Sequence, residues 1–300
     1  MNTKQVIGID IGGTTISLGC FSSDGACTER ISIETPQPAT PVAVIETITS
    51  PIQQLQQKHN CLAIGIGIPG PTDKTNRIAK VGINLPDWQD IPLAAEIENL
   101  TNLPTTLAND ANCAAIGEAW LGAGKNIANF ILLTLGTGVG GGIFLDGKLF
   151  TGSYGAAGEL GLITLYPEGY PCNSGNIGSL EQYGSIGAIK RETGKTPLEL
   201  GKLAASGDRQ ALDFWQQYGK TLGAGITSLV YVLTPEAVIL GGGISASAEY
   251  FFPSAIAEIN RRVHPSSRVG LQLLKAKLGS DAGMIGAAKL GWDLVADSAS

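Results

Sequence analysis

The chain has 300 residues, 43% of them hydrophobic and 15% charged, and a formal net charge of −6. This length allows two domains, and the acidic balance without a long basic run argues against a nucleic-acid partner. No apolar run is long enough to cross a bilayer and no signal peptide is visible, so we expect a cytoplasmic protein without a membrane partner. The five cysteines form no CxxC pair, which favours free thiols over a disulfide framework.

The apolar pattern predicts strands first and a helix after them. In chain order, the elements predicted for the first part of the chain are strands at 5–11, 16–20 and 27–34, a helix at 41–58, a strand at 62–68 and a helix at 110–122. Pro51 lies inside the first helix and is a possible kink.

The second part of the chain opens with the same arrangement as the first. Strands predicted at 130–135 and 140–145 flank a glycine turn, as the first two strands do about 125 residues earlier, which indicates a weak internal repeat. The remaining predicted elements are a helix at 210–233, a strand at 236–240, a helix at 247–262, a strand at 270–276 and a helix at 281–296. These elements indicate a mixed-sheet α/β architecture in two lobes, with a hinge near 117–125.

Glycine-rich turns are the candidate phosphate-binding segments. Gly12-Gly13-Thr14 follows Asp10, and Gly136-Thr137-Gly138 opens a run with five glycines in eight residues. Glycine lets backbone N–H groups approach phosphate oxygens, and threonine adds a hydroxyl donor. A carboxylate such as Asp10 fits beside phosphates if Mg²⁺ lies between them.

Each glycine turn also has an ordinary structural explanation as a hairpin turn. Two similar loops, one in each half, are harder to explain in that way and could grip a polyphosphate from both sides. A third segment, Gly241-Gly242-Gly243, could seat a nucleotide or could simply join a strand to a helix. The sequence contains no GxxxxGK[ST] loop and no HRD or DFG set, which excludes those phosphoryl-transfer classes.

The segment Asn109-Asp110-Ala111-Asn112 is the candidate catalytic segment. An aspartate at a helix start is often an N-cap, and it is also what phosphoryl transfer to a hydroxyl needs as a proton acceptor. Local sequence leaves both interpretations open for Asp110. Further polar side chains suit the hydroxyls of a sugar, although they could equally be surface residues; they are Asn84, Asn109, Glu159 and Glu181.

Taken together and in order, these segments resemble the ROK family of bacterial sugar kinases and repressors. The matching segments are IGIDIGGT at 7–14, Pro69-Gly70-Pro71, NLPDW at 84–88, LANDANCAA at 107–115, LTLGTGVGGGI at 133–143, GAAGELG at 155–161, Leu180-Glu181-Gln182-Tyr183, GGGIS at 241–245 and LGSDAGMIGAA at 278–288. The resemblance implies an α/β, two-lobed actin/hexokinase/Hsp70-like (ribonuclease H-like) ATPase fold with a cleft between the lobes. The lobes would be residues 1–117, joined by a C-terminal helix near 287–300, and residues 118–286.

The resemblance also implies an activity, namely ATP-dependent phosphorylation of glucose at the 6-hydroxyl, at the entry to glycolysis. Asp110 would be the general base, and Asp10 would hold Mg²⁺ through water. Asn84, Asn109, Glu159 and Glu181 would bind the sugar. The phosphates and the nucleotide would be bound by Gly12, Gly13, Thr14, Thr137, Gly138, Gly242 and Gly243. A homodimer or homotetramer is expected.

Two departures from the family pattern bear on the metal and the substrate. Many relatives bind zinc through a CxCGxxGC block and a histidine, but here the block reads CNSGNIGS from Cys172 to Ser179 and the histidine position is Leu162. One thiolate cannot make a four-coordinate zinc site, so we predict no zinc. In zinc-containing relatives the histidine also contacts the sugar, so Leu162 removes one contact that would favour glucose. The second departure is Thr15, where many relatives have lysine.

Other functions remain open alongside the glucokinase. Some relatives use polyphosphate as donor, and others phosphorylate mannose, fructose or N-acetylhexosamines. Sugar-responsive repressors of the family carry a helix-turn-helix segment before the first phosphate loop, whereas nine residues precede Asp10 here, and we therefore expect a kinase.

Overall fold

The computed structural model describes residues 3–82 and 85–298, whose strands form two five-stranded sheets and one two-stranded ribbon. The strands are β1 (Lys4–Ile11), β2 (Thr15–Phe21), β3 (Cys27–Glu34), β4 (Asn60–Ile68), β5 (Ala79–Val81), β6 (Gln89–Ile91), β7 (Thr105–Asn109), β8 (Phe130–Leu135), β9 (Val139–Leu145), β10 (Lys148–Leu149), β11 (Ala237–Gly241) and β12 (Gln272–Lys275). The helices are α1 (Pro41–Lys58), α2 (Leu93–Thr101), α3 (Asp110–Leu121), α4 (Glu181–Gly184), α5 (Ile186–Thr193), α6 (Pro197–Ala205), α7 (Arg209–Leu233), α8 (Ala248–Arg262) and α9 (Ala282–Asp297).

The chain divides into two compact units. The first consists of Met1–Lys125, Thr151–Ala157 and Ser280–Ser300, and the second of Asn126–Phe150 and Gly158–Gly279. The lobes 1–117 and 118–286, as functional halves, stay a prediction.

The first unit is built on a sheet with the strand order β3-β2-β1-β4-β7. The first three strands are antiparallel, while β4 is parallel to both β1 and β7. One face of this sheet packs its isoleucines and leucines against the apolar stripes of α1 and α2. Helix α1 begins where Thr40 accepts a hydrogen bond from the Ala43 N–H, and it runs unbroken through Pro51.

The opposite face of the same sheet receives α9 at backbone distance. A Cβ atom built on Gly65 of β4 would lie 1.8 Å from the Ala287 carbonyl oxygen, and one on Gly286 of α9 would lie 1.7 Å from the Cys113 carbonyl oxygen in α3. Such approaches are possible only without side chains at these positions. Glycines on both partners therefore bring α9 against the sheet and against α3.

The second unit repeats the topology of the first. Its sheet has the order β10-β9-β8-β11-β12, again with two antiparallel pairs followed by two parallel pairs. Its core includes stacked and edge-on aromatic rings contributed by α7 and α8, among them Trp215, Tyr218 and Phe251. The prediction of a mixed-sheet α/β architecture is confirmed, and the internal repeat corresponds to these two sheets.

None of the helices in the described parts of the chain is long and apolar enough to span a membrane. The five cysteines are all free thiols, with Cys20, Cys113 and Cys172 buried.

Candidate functional site

The first glycine turn joins β1 to β2 and is held from within the unit. The Gly12 N–H donates to the Thr15 carbonyl at 3.0 Å, while the Thr35 hydroxyl donates to the Gly12 carbonyl at 2.6 Å and the Thr35 N–H to the Thr14 carbonyl at 3.0 Å. The carbonyl groups of the turn therefore accept hydrogen bonds from within the unit, whereas Gly13 and Thr14 are exposed to solvent. A Cβ atom on Gly13 would meet nothing within 4 Å. Contacts within the protein therefore leave room for a side chain at Gly13, whereas a ligand against the backbone would not.

Parallel strands bring the two candidate aspartates to one edge of the first sheet. Asp10 lies opposite Gly67 of β4, and β4 ends at Ile68 opposite Asn109, after which Asp110 begins α3. Burial, together with the negative charge of Asp110, raises the pKa of Asp10 to about 7. Asp110 is thus close enough for its negative charge to oppose the ionisation of Asp10.

The helix cap at this edge is Asn109. Its side-chain oxygen accepts from the N–H groups of Ala111 at 2.9 Å and Asn112 at 3.1 Å, and its amide nitrogen donates to the Gly70 carbonyl at 3.3 Å. Asp110 is the first residue inside the helix, with one carboxyl oxygen 2.8 Å from the Ala111 nitrogen. Of the two interpretations left open for Asp110, the N-cap interpretation is wrong, because Asn109 has that role.

Burial also raises the pKa of Asp110. Hydrogen bonds from the backbone of Ala111, from its own N–H and from the Asn109 side chain act in the opposite direction but do not cancel the effect. A carboxylate with a raised pKa holds a proton more readily than one in water, which is the property needed of a general base.

The second glycine turn joins β8 to β9 in the second unit. The Gly136 N–H donates to the Gly138 carbonyl at 2.9 Å, and the Ile186 N–H donates to the Gly136 carbonyl at 2.8 Å. Thr137 is exposed. A Cβ atom on Gly136 would meet nothing within 4 Å, so this turn, like the first, presents open backbone.

The third glycine segment lies next to the second turn because β11 is parallel to β8, with Gly241 opposite Thr134. Gly242 has a φ of 78°, and a Cβ atom there would lie 2.3 Å from the Leu135 carbonyl oxygen. The fold therefore requires glycine at Gly242. Gly243 meets nothing within 4 Å and is exposed, which leaves its backbone open to a ligand.

Glu181 lies against the second glycine turn. Its Oε2 atom accepts from the Val139 N–H at 3.0 Å, and a Cβ atom on Gly138 would lie 2.4 Å from that same oxygen. Glu159 is exposed and precedes the 3₁₀ turn Leu160–Leu162, whose last N–H donates to the Glu159 carbonyl at 3.1 Å.

Each unit therefore gathers its own share of the predicted residues. The first brings together Asp10, Gly12, Gly13, Thr14, Asn109 and Asp110; the second brings together Thr137, Gly138, Glu181, Gly242 and Gly243. Asn84 lies outside the described residues. Sequence reasoning missed Thr35, which has no motif around it.

The described residues differ in how well they could hold Mg²⁺ and zinc. Carboxylate oxygens suit Mg²⁺, and a divalent cation would offset the effect of the Asp110 charge on Asp10, so the pair fits the predicted metal. Within residues 3–82 and 85–298, no three His, Cys, Asp or Glu side chains come together in a group that could hold a metal ion. The absence of zinc stays a prediction.

Comparison with known proteins finds relatives that match nearly the whole chain. The chain is 33% identical to a glucokinase of Thermotoga maritima, over 97% of this chain and 98% of that one. The crystal structure of a ROK family glucokinase from Streptomyces griseus in complex with glucose and AMPPNP has a TM-score of 0.84 and 32% identity, covering 96% of this chain and 99% of that one. A ROK hexokinase from Thermus thermophilus has a TM-score of 0.85 at 32% identity, covering 98% and 99%.

These matches confirm the actin/hexokinase-like ATPase fold that the resemblance implied. The family model described as "ROK family" matches residues 6–293, and the chain belongs to the ROK family.

Proposed function

We propose that the protein is a sugar kinase that transfers the γ-phosphoryl group of ATP to the 6-hydroxyl of glucose, with Asp110 as the general base. The observation that carries this proposal is the position of Asp110, which begins α3 while the neighbouring Asn109 caps the helix. Its carboxyl group is partly buried and has a raised pKa. The full-length similarity to glucokinases supports the choice of glucose.

In this mechanism Asp110 accepts the proton of the sugar hydroxyl as the oxygen attacks the γ-phosphorus, while the bond from that phosphorus to the β,γ-bridging oxygen breaks and ADP leaves. Phosphoryl transfer needs an oriented nucleophile and compensation of the phosphate charge more than covalent help from the protein. The Ala111 N–H and the Asn109 amide fix the direction of the Asp110 carboxyl group. Asp110 therefore both orients the hydroxyl and removes its proton.

Backbone N–H groups of the glycine turns bind the phosphates in this proposal. Gly13 and Thr14 do so in the first unit, and Thr137 and Gly138 in the second. The Gly12 N–H donates to the Thr15 carbonyl, so Gly12 contributes by having no side chain in the path of the phosphate. Gly242 and Gly243 bind the nucleotide. Mg²⁺ near Asp10 would supply positive charge that offsets the charge of the phosphates.

The sugar hydroxyls are bound by Asn84, Asn109, Glu159 and Glu181 in this proposal. Carboxylates accept two hydrogen bonds in a plane and amides both donate and accept, which suits vicinal hydroxyls. Leu162 contributes no polar atom from its side chain, so discrimination between glucose and its epimers depends on these four residues.

One assay matrix tests the proposal. Glucose, mannose, fructose and N-acetylhexosamines are each incubated with the purified protein and either ATP or polyphosphate, and sugar phosphate is measured. We expect the highest kcat/KM for glucose with ATP. A higher kcat/KM with polyphosphate would change the proposed donor, and a higher kcat/KM with another hexose would change the proposed acceptor. If no sugar is phosphorylated with either donor, the assignment as a kinase is refuted.

A further inference from the structure

The two carboxylates proposed to bind sugar in the second unit lie at opposite ends of one folded segment. Glu159 precedes the 3₁₀ turn Leu160–Leu162, and Glu181 begins α4. Between them the chain turns back on itself, because the Leu180 N–H donates to the Ile163 carbonyl at 2.9 Å and the Leu165 N–H donates to the Gly178 carbonyl at 2.7 Å. The distance between the two carboxylates therefore depends on how this segment is held.

The side chain of Asn176 joins the two halves of this segment. Its Nδ2 atom donates to the Leu162 carbonyl at 2.7 Å and lies 3.1 Å from the Thr164 hydroxyl. The Leu162 carbonyl belongs to the last residue of the turn that Glu159 starts. One side-chain amide thus fixes the end of the turn that carries Glu159.

Asn176 is itself held firmly by its own loop. Its Oδ1 atom accepts from the Ile177 N–H at 2.8 Å, its carbonyl accepts from the Cys172 N–H at 2.8 Å, and its N–H donates to the Ser174 hydroxyl at 3.4 Å. With the amide oxygen engaged on the loop, the amide nitrogen is directed at Leu162. An amide whose two ends are both bonded has a single orientation, so it fixes a position rather than filling space.

We infer that Asn176 is a positioning residue for sugar binding, which sets the place of Glu159 relative to Glu181 through its bond to the Leu162 carbonyl. This inference rests on the proposed function, since it assumes that Glu159 contacts the sugar. It assigns no contact with the phosphate donor to Asn176.

Two substitutions separate the role of the amide nitrogen from that of the side chain as a whole. Asn176→Ala removes both ends of the amide. Asn176→Asp keeps the shape and the acceptor for Ile177 but replaces the donor with an oxygen that faces the Leu162 carbonyl. Asn173→Ala is the matched control, because Asn173 is exposed in the same loop.

The readouts are the KM for glucose and for ATP, kcat, and glucose binding by isothermal titration calorimetry. Losing one well-placed hydrogen bond corresponds to roughly a tenfold change in an equilibrium constant. We therefore expect Asn176→Asp and Asn176→Ala to raise the KM and Kd for glucose by about tenfold, with the KM for ATP and kcat at saturating glucose within about twofold of wild type. Asn173→Ala should match wild type.

An unchanged glucose KM and Kd in Asn176→Asp would overturn the inference. Equal rises in both KM values together with lost thermal stability would also overturn it, since they would indicate a general structural role. These outcomes are distinct from failure of the proposed function, in which wild type itself phosphorylates no sugar.

Discussion

At the scale of single residues, Asn109 caps α3 and leaves the neighbouring Asp110 available for its proposed role as general base. The Asn109 side chain accepts hydrogen bonds from the free N–H groups at the start of α3. An aspartate in the same segment could also have made these bonds. Capping by Asn109 fixes the first turn of α3 and with it the direction of Asp110. Local sequence could not separate these roles, because both residue types are good caps.

Replacement of Asp110 by asparagine tests the proposed base. The amide would keep the size of the side chain but would not accept a proton, and general base catalysis is worth about 10²–10⁴-fold in rate. We expect D110N to lower kcat by that factor while glucose still binds, as measured by steady-state kinetics and calorimetry. D146N, which changes an exposed aspartate at a hairpin turn, is the control. Full turnover in D110N would refute the assignment.

The raised pKa of Asp10 leads to a stability prediction. Its pKa in the folded protein is about 7, against an ordinary value of 3.8, so the folded state binds a proton that the unfolded state has lost between these values. The stability that Asp10 contributes is therefore complete below pH 3.8 and is lost as the pH rises through about 7. In EDTA, Asp10→Asn should stabilise the protein, and more so at pH 8 than at pH 5.

The size of that gain is bounded by the pKa change. It corresponds to at most roughly 4 kcal/mol, and less because Asp10 keeps some contact with water. Thermal unfolding of wild type and Asp10→Asn at the two pH values measures it. If Asp10→Asn destabilised the protein equally at pH 5 and pH 8, this would contradict a raised pKa of Asp10 caused by burial and by the charge of Asp110.

At the scale of elements, the packing of α9 depends on missing side chains. The new methyl group of Gly286→Ala would have to displace backbone of α3, because it would lie 1.7 Å from the Cys113 carbonyl oxygen. We expect this variant to lose about 3 kcal/mol or more of unfolding free energy, as measured by urea denaturation. Gly187→Ala is the matched control, since the nearest atom to its Cβ would be the Ser185 hydroxyl oxygen at 3.7 Å. That variant should be neutral or slightly more stable.

Elements with a long apolar period were predictable, whereas short elements were predicted in some cases, such as β11, and missed in others. The helix predicted at 210–233 is α7, Arg209–Leu233, because its apolar stripe repeats over many turns. Strand β7, Thr105–Asn109, was missed, since it is short and runs into α3 without a turn residue. The Asn176 contacts could not be predicted either, because they join residues 12 and 14 positions apart that share no pattern.

At the scale of the whole molecule, the internal repeat was visible in the sequence only through its glycine turns. The two sheets have the same strand order and directions. In the sequence, this repeat was indicated by little more than the pattern of a strand, a glycine turn and a second strand. Topology is set by burial and strand pairing, which many sequences satisfy. The glycine turns stood out because two similar glycine-rich segments, one in each half of the chain, are hard to explain as ordinary hairpin turns.

The whole chain also gives a prediction about metal content. Cys172 is the one cysteine left at the positions where the ROK resemblance expects zinc ligands, and one thiolate is too few. Purified protein should contain zinc far below one atom per chain by elemental analysis, and EDTA should leave its melting temperature unchanged in the absence of ligands. One bound zinc per chain would refute this prediction.

The place of α9 in the first unit has a consequence for synthesis on the ribosome. The first unit needs residues from both ends of the chain, whereas the second is complete at Gly279. Domains usually fold in the order in which they emerge. Here the glycine-lined face of the first sheet stays uncovered until α9 has been synthesised and has left the exit tunnel. The later-made unit can therefore finish folding before the earlier one.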